Sequence, residues 1–280
     1  MKDKRGLARL QVGVSYAFLV ILAVLVLFPF YWMTVTSFKS ENQMRSLVSM
    51  FWPSPFASEN YEHLMRKTDF VGWYGNSIFV SVSSTLLAIS IGTVGAYALA
   101  RLKFLGRGFL ASATLITYLV PPSILFIPLY AQIRNLGLAD SLTGLIVAYP
   151  SFTVPFVTWL LMGYFESIPE ELEEAAMIDG ATRFGAFWRV VLPLSAPGVL
   201  AAALYAFTQA WNEFLYALVF ITNVKLRTLP VGLSTFITGD VYGWGYLMAG
   251  AVLTTLPVIA AYIYLQKYMV EGLTAGSVKG

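Results

Sequence analysis

The chain has 280 residues, of which 58% are hydrophobic and 12% charged, and its mean hydropathy is +0.69. A soluble domain carries about 25% charged residues, so this composition excludes a water-soluble globular protein and indicates a bilayer as solvent. The formal net charge of +3 is interpreted as loop charge that orients membrane spans rather than as a nucleic-acid footprint. There is no cysteine and one histidine, His63, which excludes disulfides and multi-histidine metal sites. We therefore expect no metal and no cofactor in this chain.

Six apolar segments are long enough to cross a bilayer, since a spanning helix needs about 20 residues. They are residues 12–36, 76–100, 109–133, 142–165, 196–220 and 246–266. The first follows four basic residues, as a signal peptide does, but it is longer and lacks a cleavage pattern, so we interpret it as an uncleaved helix. All six are predicted helices, because lipid offers no partner to unpaired backbone groups. The predicted fold class is therefore all-α integral membrane, with six transmembrane helices.

Three regions are predicted along the chain. Residues 1–75 hold the N-terminal tail, the first helix and an outer loop, residues 76–270 hold a five-helix core, and residues 271–280 form a C-terminal tail. Lysine and arginine concentrate at the N-terminus and in the loops after the second and fourth helices. The positive-inside rule therefore predicts a multi-pass protein with both termini in the cytoplasm.

Prolines cluster in the third segment, as Pro121, Pro122 and Pro128. Each interior proline removes a backbone hydrogen bond and kinks a helix. Membrane helices tolerate such kinks for packing alone, but broken helices also surround translocation paths. The density of prolines here favours a broken helix beside a path.

The loop between the fourth and fifth helices predicts a helix–turn–helix with an apolar face. Ser167 and Glu170 fit a capping box, Gly180 fits a helix stop, and Thr182 can cap a second short helix. Periodicity alone gives equal support to two alternatives: an element that docks on another protein, and a helix that lies on its own membrane domain.

The same loop carries a spaced motif. Glu174-Ala175-Ala176 is followed after three residues by Gly180, after nine more by Val190, and then by Leu192-Pro193. This pattern resembles the EAA loop of bacterial ABC importer permeases and departs from it only by valine in place of isoleucine at Val190. The proline pair at 121–122, the run 127–130, the run 211–213 and the ending 272–280 are similar to the carbohydrate (MalG-type, maltose and oligosaccharide) subfamily.

The resemblance implies a MetI-like permease fold in a bacterial or archaeal cytoplasmic membrane, with the EAA loop as a coupling helix seated in a cytoplasmic ATPase. The implied ATPase-coupling residues are Glu174, Ala175, Ala176, Asp179 and Gly180. The tail residues Val278 and Lys279 are implied to reach between the ATPase subunits; without the resemblance they would be interpreted as a frayed end.

The implied partners are a second homologous permease that completes a heterodimeric pore, two ATP-binding cassette ATPase subunits, and an extracytoplasmic solute-binding protein. ATP and Mg are implied to bind to the ATPase subunits, and this chain has no Walker A pattern. It is therefore predicted to be a sugar-importing permease and not an enzyme.

Glu213 is the one formal charge inside a predicted span, and such a residue is a functional hypothesis by default. It could line a sugar path, or it could be an internal hydrogen-bond partner that fixes helix packing; both interpretations stay open. The candidate path residues are Tyr130, Trp211, Asn212, Glu213 and Tyr216. If Glu213 coupled ions, the alternative function would be a secondary transporter, while a membrane enzyme would lack catalytic side chains.

Overall fold

The computed structural model describes residues 2–46, 51–238 and 241–275 of the chain, with side chains described for 11–46, 51–237 and 243–268. In this part of the chain nearly all regular structure is helical. The helices are α1 (Lys2–Ser37), α2 (Glu41–Arg45), α3 (Glu59–Lys67), α4 (Phe70–Arg101), α5 (Arg107–Leu119), α6 (Pro122–Asn135), α7 (Leu142–Ala148), α8 (Pro150–Ser167), α9 (Glu170–Ile178), α10 (Arg183–Ala186), α11 (Leu192–Leu194), α12 (Ala196–Trp211), α13 (Leu215–Phe220), α14 (Leu229–Ser234) and α15 (Trp244–Ala275). A π-helical turn (Phe187–Val191) joins α10 to α11, a 3₁₀ turn spans Val224–Leu226, and β1 (Ile237–Thr238) pairs antiparallel with β2 (Val241–Tyr242).

Among the described residues, four helical stretches are long and apolar enough to cross a membrane, and there are up to six spans if each of two bent helix pairs is one span. The bent pair α5 and α6 turns by 101° at Val120 and Pro121, so the predicted break in the third segment is confirmed. The fifth predicted span, residues 196–220, is not one helix: α12 ends at Trp211 and α13 begins at Leu215. The other bent pair, 183–194 with 196–211, turns by 77°.

The chain divides into two compact units, one made of residues 1–70 with 233–255 and the other of 71–232 with 256–280. In the first unit, every residue of α1 from 11 to 31 is exposed, whereas Val35, Thr36 and Ser37 are buried. The Asn60 amide of α3 donates to the carbonyl oxygens of Ser37 at 2.9 Å and Lys39 at 2.8 Å. This helix is therefore held within its unit at its C-terminal end.

Among its described side chains, the second unit contains two buried apolar clusters. One surrounds Tyr149 and Tyr216, where α7, α8 and α13 meet, and the other surrounds Val157 and Phe165 of α8. Close packing depends on small residues, as is usual between membrane helices. A Cβ atom added to Gly92 of α4 would lie 2.5 Å from Val157 Cγ1. These contacts fix α4, α8 and α12 as the frame that positions the candidate site.

Candidate coupling site

Helix α9 is the predicted coupling helix, and its C-terminal end is built as the sequence predicts. Gly180 has φ +93°, a left-handed conformation that a residue with a Cβ adopts only with strain. The Gly180 amide donates to the Met177 carbonyl at 3.1 Å, and the Ala181 amide to the Ala176 carbonyl at 3.0 Å. Both bonds satisfy carbonyl groups that the end of a helix leaves unpaired. The predicted helix stop at Gly180 is confirmed.

The following helix also starts as predicted, because Thr182 Oγ1 accepts from the Gly185 amide at 3.1 Å. The predicted capping box at the start of α9 is wrong. Ser167 is the last residue of α8, and its hydroxyl donates to the Tyr164 carbonyl at 2.7 Å. Helix α9 instead begins after Pro169, which makes no side-chain cap.

The predicted coupling residues lie mostly on the exposed face of α9 and its C-terminal turn. Glu174, Ala175, Asp179 and Gly180 are exposed, and Ala176 is half-buried. The neighbouring Ile178 is 86% exposed. An exposed isoleucine beside small residues gives a surface that a partner can approach closely.

The opposite face of α9 is fixed to the end of α4 by charge. Glu173 is 5% exposed, its Oε2 lies 3.5 Å from Arg101 Nε, and its Oε1 accepts from the Tyr97 hydroxyl. Arg101 Nη1 also lies 3.5 Å from Glu170 Oε1, and its Nη2 donates to the Ile168 carbonyl at 2.5 Å. One buried guanidinium therefore holds both the start of α9 and the chain that leads into it.

A groove of about 660 Å³ runs beside this contact. Its lining joins residues 101–104, at the end of α4 and just after it, to the α9 residues Glu170, Glu173, Glu174 and Met177 and to Arg183. Exposed acidic and basic side chains lie along it, so the groove has the mixed charge of a polar docking surface rather than that of an apolar ligand pocket.

Glu213 lies in the break between α12 and α13, where it caps the start of α13. Its Oε1 accepts from the Tyr216 amide at 2.7 Å, and its Oε2 accepts from the Ala217 amide and the Tyr149 hydroxyl, both at 3.0 Å. Backbone N–H groups at a helix start favour a carboxylate. Of the two interpretations left open by the sequence, these contacts favour the internal hydrogen-bond partner.

The other candidate path residues differ in exposure. Trp211 and Tyr216 are each 1% exposed: the Trp211 ring stacks on Phe207, and the Tyr216 hydroxyl donates to the Pro122 carbonyl at 2.9 Å. Tyr130 is half-buried against Phe220. Asn212 is exposed, so within this chain it is the path candidate most open to a ligand.

From residue 70 to residue 274 the sequence matches a family described as "Binding-protein-dependent transport system inner membrane component". The chain belongs to this family. It is an ABC transporter permease subunit, embedded in the inner membrane and dependent on a binding protein. That membership confirms the predictions of a MetI-like permease and of a transport subunit without its own enzyme activity.

Curated relatives align with this permease almost from end to end. The inner membrane ABC transporter permease protein YcjP of Escherichia coli is 36% identical, with 99% of each chain covered. The sulfoquinovosyl glycerol transport system permease protein SmoH of Agrobacterium fabrum is 40% identical, with 93% of this chain and 91% of the relative covered. The trehalose/maltose transport system permease protein MalG of Thermococcus litoralis is 37% identical, with coverage of 93% and 94%.

A solved structure is also similar. It is the crystal structure of a bacterial ABC transporter involved in the import of the acidic polysaccharide alginate. One of its chains superposes on the permease with a TM-score of 0.80 at 26% identity, covering 93% of this chain and 96% of that chain. The similarity therefore covers far more of the chain than the segment that carries the motif.

Sequence reasoning missed the residues that anchor the coupling helix. Arg101 was interpreted only as loop charge that orients the permease, and neither Tyr97 nor Glu173 was singled out. The available signal was positional: Arg101 ends an apolar span, and Glu173 precedes the motif directly. The tail residues Val278 and Lys279 lie outside the described residues.

Proposed function

We propose that this permease forms half of the pore of an ATP-driven sugar importer. The movement of the ATPase subunits is transmitted to its membrane spans through α9. The observation that carries the proposal is an exposed α9 surface, ended by the left-handed Gly180 and held rigidly on α4 by Arg101. A rigidly anchored helix can transmit a displacement to the spans, whereas a loosely held one would move alone. The coupling residues are Glu174, Ala175, Ala176, Asp179 and Gly180.

The partners follow from this role. A second permease completes the pore, and two ATPase subunits bind ATP and Mg and dock on α9 from the cytoplasm. The distribution of lysine and arginine supports cytoplasmic termini, and α9 is then on the ATPase side. The contact of Val278 and Lys279 with the ATPase subunits rests on the family resemblance.

The sugar assignment is supported by the relatives. The similar proteins include permeases of transport systems for sulfoquinovosyl glycerol and for trehalose and maltose, and the similar solved transporter is involved in the import of alginate. The path residues Tyr130, Trp211, Asn212, Glu213 and Tyr216 remain candidates, with the exposed Asn212 foremost.

The test compares two glycines that both have a left-handed backbone conformation. Gly180 (φ +93°) and Gly137 (φ +73°) are both left-handed, and an added Cβ at either position meets nothing within 4 Å. An alanine therefore adds similar strain at each, about 1–2 kcal/mol. We expect Gly180→Ala to lower ATPase co-purification and sugar uptake at least about tenfold, whereas Gly137→Ala retains both.

The assay uses the permease co-expressed with its partner permease and ATPase subunits and purified by a tag on this chain. Capture of sugar by the isolated binding protein is the internal control and stays unchanged. Equal uptake by the two alanine variants would contradict coupling through α9. A chain that purifies alone and transports alone would contradict the ATP-driven mechanism.

A further inference from the structure

The segment 51–56, between α2 and α3 in the first unit, exposes three large aromatic side chains. We define the aromatic patch as Phe51, Trp52 and Phe56, whose side chains are between 59% and 61% exposed. The ring centroids of Trp52 and Phe56 are 5.5 Å apart, and those of Phe51 and Trp32 of α1 are 6.2 Å apart. Single exposed apolar residues are ordinary on a protein surface, but a group of large rings indicates an interaction surface.

The segment that carries the patch is attached to two helices. The hydroxyl of Tyr31 in α1 donates to the Phe51 carbonyl. The side-chain amide of Gln43 in α2 donates to the Pro55 carbonyl at 3.0 Å. The rings are therefore exposed by a defined fold of the segment, and their exposure is not the result of a frayed loop.

The position of the patch beside α1 gives its depth in the bilayer. Between Arg9 and Lys39 the sequence has no charged residue, so the middle of this apolar run, near residue 24, marks the middle of the membrane. The hydrocarbon core extends about 15 Å to each side, which is about ten residues of an upright helix. The core therefore ends near Thr34. Tyr31, which bonds to the patch segment, lies about 5 Å inside that boundary.

The chemistry of the segment suits the boundary between hydrocarbon and headgroups. Irregular backbone beside lipid must not leave N–H groups unpaired, and Pro53 and Pro55 have no N–H to pair. The carbonyl groups of Phe51 and Pro55 each accept a side-chain hydrogen bond. Lys39 Nζ lies 5.0 Å from the centroid of the Trp32 ring, which places a cation at the depth where lipid phosphates are found.

Two other occupants of the patch fit these observations less well. A closely packed membrane helix is expected to meet small residues, whereas the patch consists of three large rings. A water-soluble partner would dock above the membrane surface, whereas the patch segment bonds to Tyr31, on the hydrocarbon side of the estimated boundary. Aromatic rings at this depth are typical of the belt that contacts lipid.

We propose that the aromatic patch inserts into the lipid surface, at the boundary between headgroups and acyl chains in the leaflet that contains the C-terminal end of α1. The rings contact acyl chains, and the indole N–H of Trp52 donates to a headgroup oxygen. The segment 51–56 thereby anchors the connection between α2 and α3 to the bilayer. This inference depends neither on the sugar nor on coupling through α9.

The experiment measures the depth of a fluorescent label at the patch in the complete transporter. This chain has no cysteine, so Trp52→Cys takes a bimane label at one position once cysteines in the other subunits are replaced. The transporter is placed in vesicles of phosphatidylethanolamine and phosphatidylglycerol that contain a lipid with a nitroxide near the headgroup or near the end of the acyl chain. Iodide is the quencher in water.

We expect the nitroxide near the headgroup to quench the label at least about twofold more than either iodide or the nitroxide at the chain end, as for a residue of the interfacial belt. Phe56→Cys provides a second position in the patch and gives the same order of quenching. The control is Glu62→Cys, at an exposed position of α3 in the same unit, where iodide is the strongest quencher.

Three results would overturn the anchor. Strong quenching by iodide at both patch positions would show that the rings face water. Protection from iodide and from both lipid nitroxides would show that another subunit covers the patch. Quenching mainly by the nitroxide at the chain end would place the patch in the hydrocarbon core, away from the headgroup boundary.

Discussion

In the second unit, the buried Glu173 and the half-buried Glu213 each accept a hydrogen bond from a tyrosine. Glu173 at the coupling helix is otherwise balanced by the Arg101 guanidinium. Glu213 in the break between α12 and α13 is balanced by the amides of Tyr216 and Ala217. The first acid is held by a side-chain cation at the end of α4, and the second by the backbone at the start of the short helix α13.

The difference shows what each location offers a carboxylate. A span end can keep a long cationic side chain, because its charged head is near the polar boundary. At the break that follows α12, backbone N–H groups at the start of α13 provide the positive potential instead. The first arrangement joins two helices, whereas the second ends one helix and starts another.

The largest expected effect comes from removing the cation. Arg101→Met leaves Glu173 buried without its charge partner, and breaking a buried pair in this way costs about 3–5 kcal/mol. We expect a clear fall in the melting temperature of the purified transporter and loss of ATPase stimulation. The double variant Arg101→Met with Glu173→Leu removes the stranded charge and regains part of the melting temperature. No recovery in the double variant would show that the ion pair is not the source of the effect.

An intermediate effect is expected at the helix break. Glu213→Leu removes the acceptor of the Tyr216 and Ala217 amides and of the Tyr149 hydroxyl. Because residue 213 is half-buried, water replaces part of this acceptor, and the expected total loss is about 1–3 kcal/mol. Glu213→Gln keeps an acceptor oxygen and so destabilises less. The check is the melting temperature of both variants in the same detergent. Equal losses would mean that the negative charge, rather than the hydrogen-bond acceptor, is what the break requires.

The smallest effect is expected at a third acid, Asp140, which lies in the loop between α6 and α7. Its Oδ1 accepts from the amides of Asn223 at 2.9 Å and Thr222 at 2.8 Å, and these bonds lower the pKa of Asp140 below its ordinary value. A carboxyl with a lowered folded-state pKa stabilises the protein above its unfolded pKa, about 3.9, and loses that contribution as the pH falls through the folded pKa.

We therefore expect the melting temperature of the unmodified transporter to fall on acidification below about pH 4, partly through Asp140. The Asp140→Asn variant keeps an oxygen acceptor, and asparagine tolerates the φ of +53° found here. At neutral pH its melting temperature is close to that of the parent, and its acid dependence is shallower. If the melting temperature depended on pH in the same way in the parent and in the variant, Asp140 would not contribute to the acid sensitivity.

Features decided by neighbouring residues could be predicted from the sequence. Gly180 ends α9 and Thr182 caps α10, because helix ends depend on a few adjacent residues. The break after Val120 was predicted from its prolines. Ser167 was misassigned because α8 runs on through it, while Ile168, before Pro169, takes the extended backbone that proline imposes on its predecessor.

Features decided by distant residues could not be predicted. Tyr97 and Glu173 are 76 residues apart, and only the packing of α4 against α9 brings them together. The break at residues 212–214 contains neither proline nor glycine, so no local signal marked it. Composition and motif therefore predicted the spans and the coupling loop, but not the contacts that join them.

In the exposed helix α1, the residues that make the helix hydrophobic are not the residues that make its specific contacts. Over residues 11–31 its side chains touch little else in the chain, so exchanges among valine, leucine and isoleucine there conserve everything this chain requires of them. Contacts that depend on particular side chains are instead found in the short stretch near Ser37, whose hydroxyl bonds to the Tyr61 hydroxyl at 2.8 Å. Within this chain, the packing of α1 therefore depends on a few residues at its C-terminal end, whereas residues 11–31 contribute mainly their hydrophobic composition.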